Sequence, residues 1–144
     1  MIKKKINNYR YKSILLWLCT ALITVFTMIL IGGITRLTDS GLSIVEWKPI
    51  LGSIPPLTET DWQIAFSKYK QFPEFNKINS NMTLNEFKWI YFWEYLHRMI
   101  GRFLGLLFII PYIIFKIRKN IPNKLNFRLI LLFFLGALQG FIGW

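Results

Sequence analysis

From Ile14 to Ile34 the chain runs for 21 residues without a charged side chain, "ILLWLCTALITVFTMILIGGI". A helix of that length spans a hydrocarbon core about 30 Å thick, so the first thing this chain must accommodate is a bilayer. A cleaved signal sequence would have a shorter apolar core and a small-residue cleavage site. This run ends instead in "ILIGGITRL", the mark of a retained span. The formal charge of +11 would suit a nucleic-acid surface in a soluble domain. With 53% hydrophobic residues and a mean hydropathy of +0.38, the partner is the lipid bilayer and no nucleic acid is expected.

Three segments are apolar enough to qualify as spans: 13–34, 89–115, and 125–144, the last cut short. A basic tail, 1–12, carries Lys3, Lys4, Lys5, Arg10 and Lys12 and no acid. The connection 116–124 carries Lys116, Arg118, Lys119 and Lys124, again without acid. The long segment 35–88 has six basic and six acidic residues. Basic residues collect in loops kept on the cytoplasmic or matrix side, which puts the N-terminus and 116–124 inside and 35–88 outside. The fold class expected is all-α integral membrane, an incomplete half of a four-helix bundle with a long structured outer loop.

In that loop Gly41, Pro49, Gly52, Pro55 and Pro56 rule out a regular helix over 40–56. Trp62, Phe66 and Tyr69 fall at helical spacing and predict an amphipathic helix lying on the membrane or the bundle. Thr83 to Glu86, "TLNE", is a capping box that opens the second spanning helix. Cys19, the single cysteine, excludes an intrachain disulfide and reads as a small apolar filler. Asn81-Met-Thr83 matters as a sequon only in a secretory setting.

The mouth of the second span, "EYLHRMIGR", concentrates costly residues: Glu94, the only histidine His97, Arg98 and Arg102. The uncharged part that follows, Phe103–Phe115, has 13 residues and reaches only about 20 Å. The apolar segment must therefore begin near Leu96, which draws His97, Arg98 and Arg102 into the outer part of the bilayer. At 100° per residue Glu94, His97, Arg98, Gly101 and Gly105 share an arc of about 100°, with Arg102 beside it. Singly, each has an ordinary reading: Glu94 and Arg98 as an i,i+4 pair, the arginines snorkelling to headgroups, Gly101 and Gly105 packing a helix. Together, around one histidine at membrane depth, they mark a functional site.

Three chemistries suit that face. One is haem, with His97 on the iron and Arg98 or Arg102 on propionates. Another is a carboxylate-bridged dimetal site, since Glu94-x-x-His97 has the right spacing. The third is an ion or proton relay. The dimetal site needs a second Glu-x-x-His, and a relay needs more acids at depth. Haem asks least that the chain does not carry.

The stretches "GGITRLTDSGLSIVEWKPILGSIPPLTETDW", "EFKWIYFWEYLHRMIGR" and "GALQGFIGW" resemble the first half of haem A synthase, of the mitochondrial and alphaproteobacterial type. The likeness runs from about Ile31 onward, and the absence of a cysteine pair fits the cysteine-free branch. The resemblance implies a membrane oxidoreductase that converts the C8 methyl of haem O to a formyl group, giving haem A for cytochrome oxidase. It implies eight spans in two four-helix bundles, bis-histidine haem sites, haem b as cofactor and an electron donor. It assigns Glu94 to the reaction and His97 to the haem iron; Arg98, Arg102 and Gly101 are read from charge and position as lining the haem site. The family's fourth span and second bundle have no counterpart here, so the expectation is a fragment or one piece of a split protein, completed by a C-terminal half or partner chain. A b-type electron-transfer subunit and an inert fragment are the alternatives, and the first of these has no need of Glu94.

Overall fold

The computed structural model describes residues 2–45 and 54–143, with side chains from Tyr11 onward. Pro49 and Gly52 of the turn-rich stretch lie outside the described residues. Five helices follow in order: α1 (Ile2–Leu37), α2 (Glu59–Tyr69), α3 (Pro73–Lys77), α4 (Leu84–Ile117) and α5 (Asn123–Ile142). The described residues contain no strand. Tyr11–Leu37, α4 and α5 are each long and apolar enough to cross a membrane. The all-helical, three-span expectation holds.

The chain divides into two compact units, Met1–Ile23 with Leu104–Trp144, and Thr24–Phe103. In the first, Ile14 and Trp17 of α1 meet Leu129 of α5 in a core flanked by Phe108, Tyr112, Phe115 and Leu125. Pro111 lies inside α4 and has no amide hydrogen, so the carbonyl four residues earlier, Leu107 O, has no helical donor. The indole of Trp17 supplies one: its Nε1–H donates to Leu107 O at 2.8 Å. In lipid an orphaned carbonyl has no water to turn to, and a neighbouring helix must satisfy it. Trp17→Phe should cost about 1–3 kcal/mol, because the carbonyl stays buried and unpaired. The same change should cost much less in a Pro111→Ala background, where the helix amide returns. A double-mutant cycle of unfolding in detergent checks this, and equal costs in both backgrounds would refute it.

The second unit is built on aromatic packing at the start of α4. Phe66 and Tyr69 of α2 and Phe87, Ile90 and Tyr91 of α4 form its core, with Trp62, Phe75 and Tyr95 around it. Phe87 is fully buried; its ring lies 5.0 Å from Phe66 and 5.3 Å from Tyr69. That burial contributes roughly 1.5–3 kcal/mol. The amphipathic face expected from Trp62, Phe66 and Tyr69 thus docks on the head of α4. Burial pushes the Tyr69 phenol above its ordinary value, partly offset by the hydrogen bond its hydroxyl accepts from Asn79 Nδ2 at 2.7 Å. The Thr83 capping box forms as read: Thr83 N–H donates to Glu86 Oε2 at 2.7 Å.

A second capping box, absent from the sequence reading, starts α2. Thr58 N–H and Oγ1 both donate to Asp61 Oδ2, and Asp61 N–H donates back to Thr58 Oγ1. Thr58, through its hydroxyl first and its amide second, holds the Asp61 carboxyl below its usual range. A depressed carboxyl stabilises the fold above its unfolded value, and loses that contribution as pH falls through the folded value. The first turn of α2 should therefore fray on acidification below the ordinary carboxylate range, and Thr58→Ala should flatten that dependence. Amide exchange at Asp61 and Trp62 against pH measures it.

Candidate functional site

The site lies in the Thr24–Phe103 unit, where the end of α1 and the turn after it meet α4. Helix α1 closes with Asp39 in the left-handed region (φ 49°), and Ser40 N–H donates back to Thr35 O at 2.8 Å. This is the reversal that usually carries glycine. The hydroxyls of Thr35 and Thr38 bond Gly32 O and Ile34 O, and the Thr38 and Ser40 hydroxyls bond each other. The knot sends the chain back so that Ser43 and Ile44 reach α4.

They meet Glu94 there. Its carboxylate is 4% exposed, and burying a charge is tolerated only when donors surround it. Ser43 Oγ donates to Oε2 at 2.7 Å, Ile44 N–H donates to the same oxygen at 2.8 Å, and Arg98 Nη2 pairs with Oε1 at 2.5 Å. Arg98 Nη2 also donates to Ile44 O at 3.1 Å. The i,i+4 pair thus grips both polar groups of one peptide residue, and each partner is held by more than the other. This exceeds the few tenths of a kcal/mol of an exposed helix pair.

His97 sits one turn further along α4, half-buried, against Gly32 of α1. A Cβ at Gly32 would stand 2.9 Å from His97 Cε1 and 3.4 Å from Nδ1, so only glycine leaves room for the ring. Nδ1 is buried and has no hydrogen-bond partner. Such an atom costs about 1–3 kcal/mol and calls for an explanation. The expected glycines divide: Gly101 packs on Met28, whose Cε would be 3.2 Å from a Cβ there, while Gly105 has nothing within 4 Å. Arg102 Nη1 approaches Met99 Sδ at 3.4 Å. Glu94, His97, Arg98 and Gly101 therefore all face α1 or its following turn, with Arg102 beside them.

Sequence reasoning missed Gly32, Ser43 and Ile44. The pair Gly32-Gly33 inside an apolar span was the available signal for the first. An amide of Ile44 leaves no trace in the residue type. No group of three or more His, Cys, Asp or Glu that could hold a bare metal ion occurs among the described residues.

Membrane-length helices, a walled-in carboxylate and a histidine with a buried, unpaired nitrogen define a polytopic helical membrane protein with a polar cluster on α4. The chain belongs to the cytochrome oxidase assembly protein family, whose family model matches residues 15–144. It is 52% identical over 141 residues to a protein of Nitrosomonas eutropha named heme A synthase, covering 98% of this chain and 39% of that one. Heme A synthases of Nitrosospira multiformis and Flavobacterium psychrophilum are 50% and 49% identical, over 92% of this chain and 37% and 40% of theirs. The chain thus spans about two fifths of the length of these curated relatives. No solved structure matches it.

Proposed function

We propose that this chain forms the N-terminal part of a haem A synthase, the membrane oxidoreductase that turns the C8 methyl of haem O into the formyl of haem A for cytochrome oxidase. The observation that carries this reading is the His97 imidazole: half-buried, seated on a glycine, with an unpartnered nitrogen one turn from a clamped Glu94–Arg98 pair. A flat ring with an iron at its centre and carboxylates on its edge suits that donor set. Its names come from relatives that carry more chain than this one, so haem b, an electron donor and a C-terminal half or partner chain belong to the same proposal.

When bound, the haem supplies the oxidative chemistry. His97 would hold the iron and so set where the ring sits against α4. Glu94 would offer its carboxylate to the reaction; Ser43 Oγ–H on Oε2 is the group through which a proton can reach or leave that oxygen. Arg98, whose side chain is 30% exposed, and Arg102 offer cationic donors to propionates, and Gly101 keeps α4 close to α1. The charge pattern supports an inside N-terminus and inside 116–124 loop, with 35–88 on the outer side.

Replacing His97 by alanine should remove the ligated Soret band from the purified protein reconstituted with haem, and stop haem A formation where the complete protein is expressed. An unchanged spectrum would sink the proposal. A pure electron-transfer subunit would keep its function without Glu94, which separates that reading.

A further inference from the structure

Among the described residues three buried side-chain atoms lack a hydrogen-bond partner: Trp93 Nε1, His97 Nδ1 and Asn120 Oδ1. Two of them lie one turn apart on α4, about 40° apart around its axis. Buried polar groups are nearly always paired, so two exceptions on one strip of one helix ask for a shared cause. The indole can only donate. Its ring is held edge-to-face against Trp89 at 5.7 Å and Phe92 at 5.5 Å, so packing sets the direction of its N–H. The nearest acid in sequence, Glu94, is taken by Ser43, Ile44 and Arg98. Tryptophans that anchor a span at the membrane surface keep the N–H in contact with water or headgroups. Here that nitrogen is buried.

We propose that Trp93 is a ligand-binding residue: its Nε1–H donates a hydrogen bond to a carboxylate oxygen on the edge of the ring that His97 holds. The inference rests on the haem reading of His97. Trp93 lies on the side of His97 nearer the polar segment that precedes α4. An amphipathic ring entering a bilayer keeps its carboxylates toward that polar side. A charged acceptor makes the bond shorter and stronger than a neutral one would.

The test uses metal-free protoporphyrin IX and its dimethyl ester, titrated into the full chain in nanodiscs and followed by porphyrin fluorescence. Removing the iron leaves only the peripheral contacts. Trp93→Phe should weaken the diacid about tenfold or more and change the ester less than about threefold. His97→Ala should abolish the iron Soret signature. In the unaltered protein, one of the six indole N–H resonances should move downfield with the diacid and stay with the ester. Unchanged diacid affinity in Trp93→Phe overturns the assignment, as do equal losses for diacid and ester or identical indole spectra with both. An unchanged iron spectrum in His97→Ala overturns the haem reading instead.

Discussion

On the proposed haem A synthase reading, Glu94→Gln in the complete protein should leave haem bound and lower haem A formation about a hundredfold or more. The carboxylate accepts on both oxygens, from Ser43 and Ile44 on one and Arg98 on the other. An amide has one acceptor and one donor. If its oxygen stays with Ser43 and Ile44, its NH2 confronts the Arg98 guanidinium; if it flips, the NH2 confronts the Ile44 amide. Either way Arg98 loses its counter-charge. Removing one partner of a buried pair costs roughly 3–5 kcal/mol, and the low end applies because the Arg98 side chain is 30% exposed. His97, the proposed ring ligand, is untouched, so the Soret band should persist while amide exchange at Ile44 accelerates. Product formed at the original rate would show that Glu94 takes no part in the reaction.

Gly32→Ala should weaken haem binding by tenfold or more without destabilising the protein. The new methyl would stand 2.9 Å from His97 Cε1, a distance real Cβ atoms do not tolerate, so the imidazole must turn or α1 must retreat. Helix propensity works the other way, since alanine within a helix is favoured over glycine by about 1 kcal/mol. A stable protein with a displaced ligand is therefore the expected result. Gly33→Ala is the control, because nothing lies within 4 Å of a Cβ there and it gains the same propensity. Soret titration and thermal unfolding of the two variants side by side give the answer. Equal affinities would mean that Gly32 does not seat the histidine.

Much of this protein was legible before any coordinates. The three spans follow from long, largely apolar segments, because a bilayer sorts side chains by transfer energy, a property of residue type and length. The α2 face of Trp62, Phe66 and Tyr69 and the Thr83 capping box are local patterns, and each formed where it was read. Pro111 announced a helix with one carbonyl unsatisfied, but not which side chain would answer it. Trp17 lies 90 residues from that carbonyl in sequence.

The candidate site shows the same division. Periodicity was sufficient to place Glu94, His97, Arg98 and Gly101 on one side of α4, since helical geometry depends only on spacing. It left Glu94 and Arg98 as an ordinary i,i+4 pair and the glycines as helix packing or, for Gly101, the lining of a ring site. The fold instead turned the carboxylate and guanidinium onto the backbone of Ile44, 50 residues upstream, and moved the seat of His97 to Gly32 on another helix. Backbone amides and carbonyls are common to nearly every residue, so no sequence marks which will be partners. That choice follows from where the Asp39 reversal sends the chain and from aromatic packing at the head of α4, both of which exist only once the helices have met.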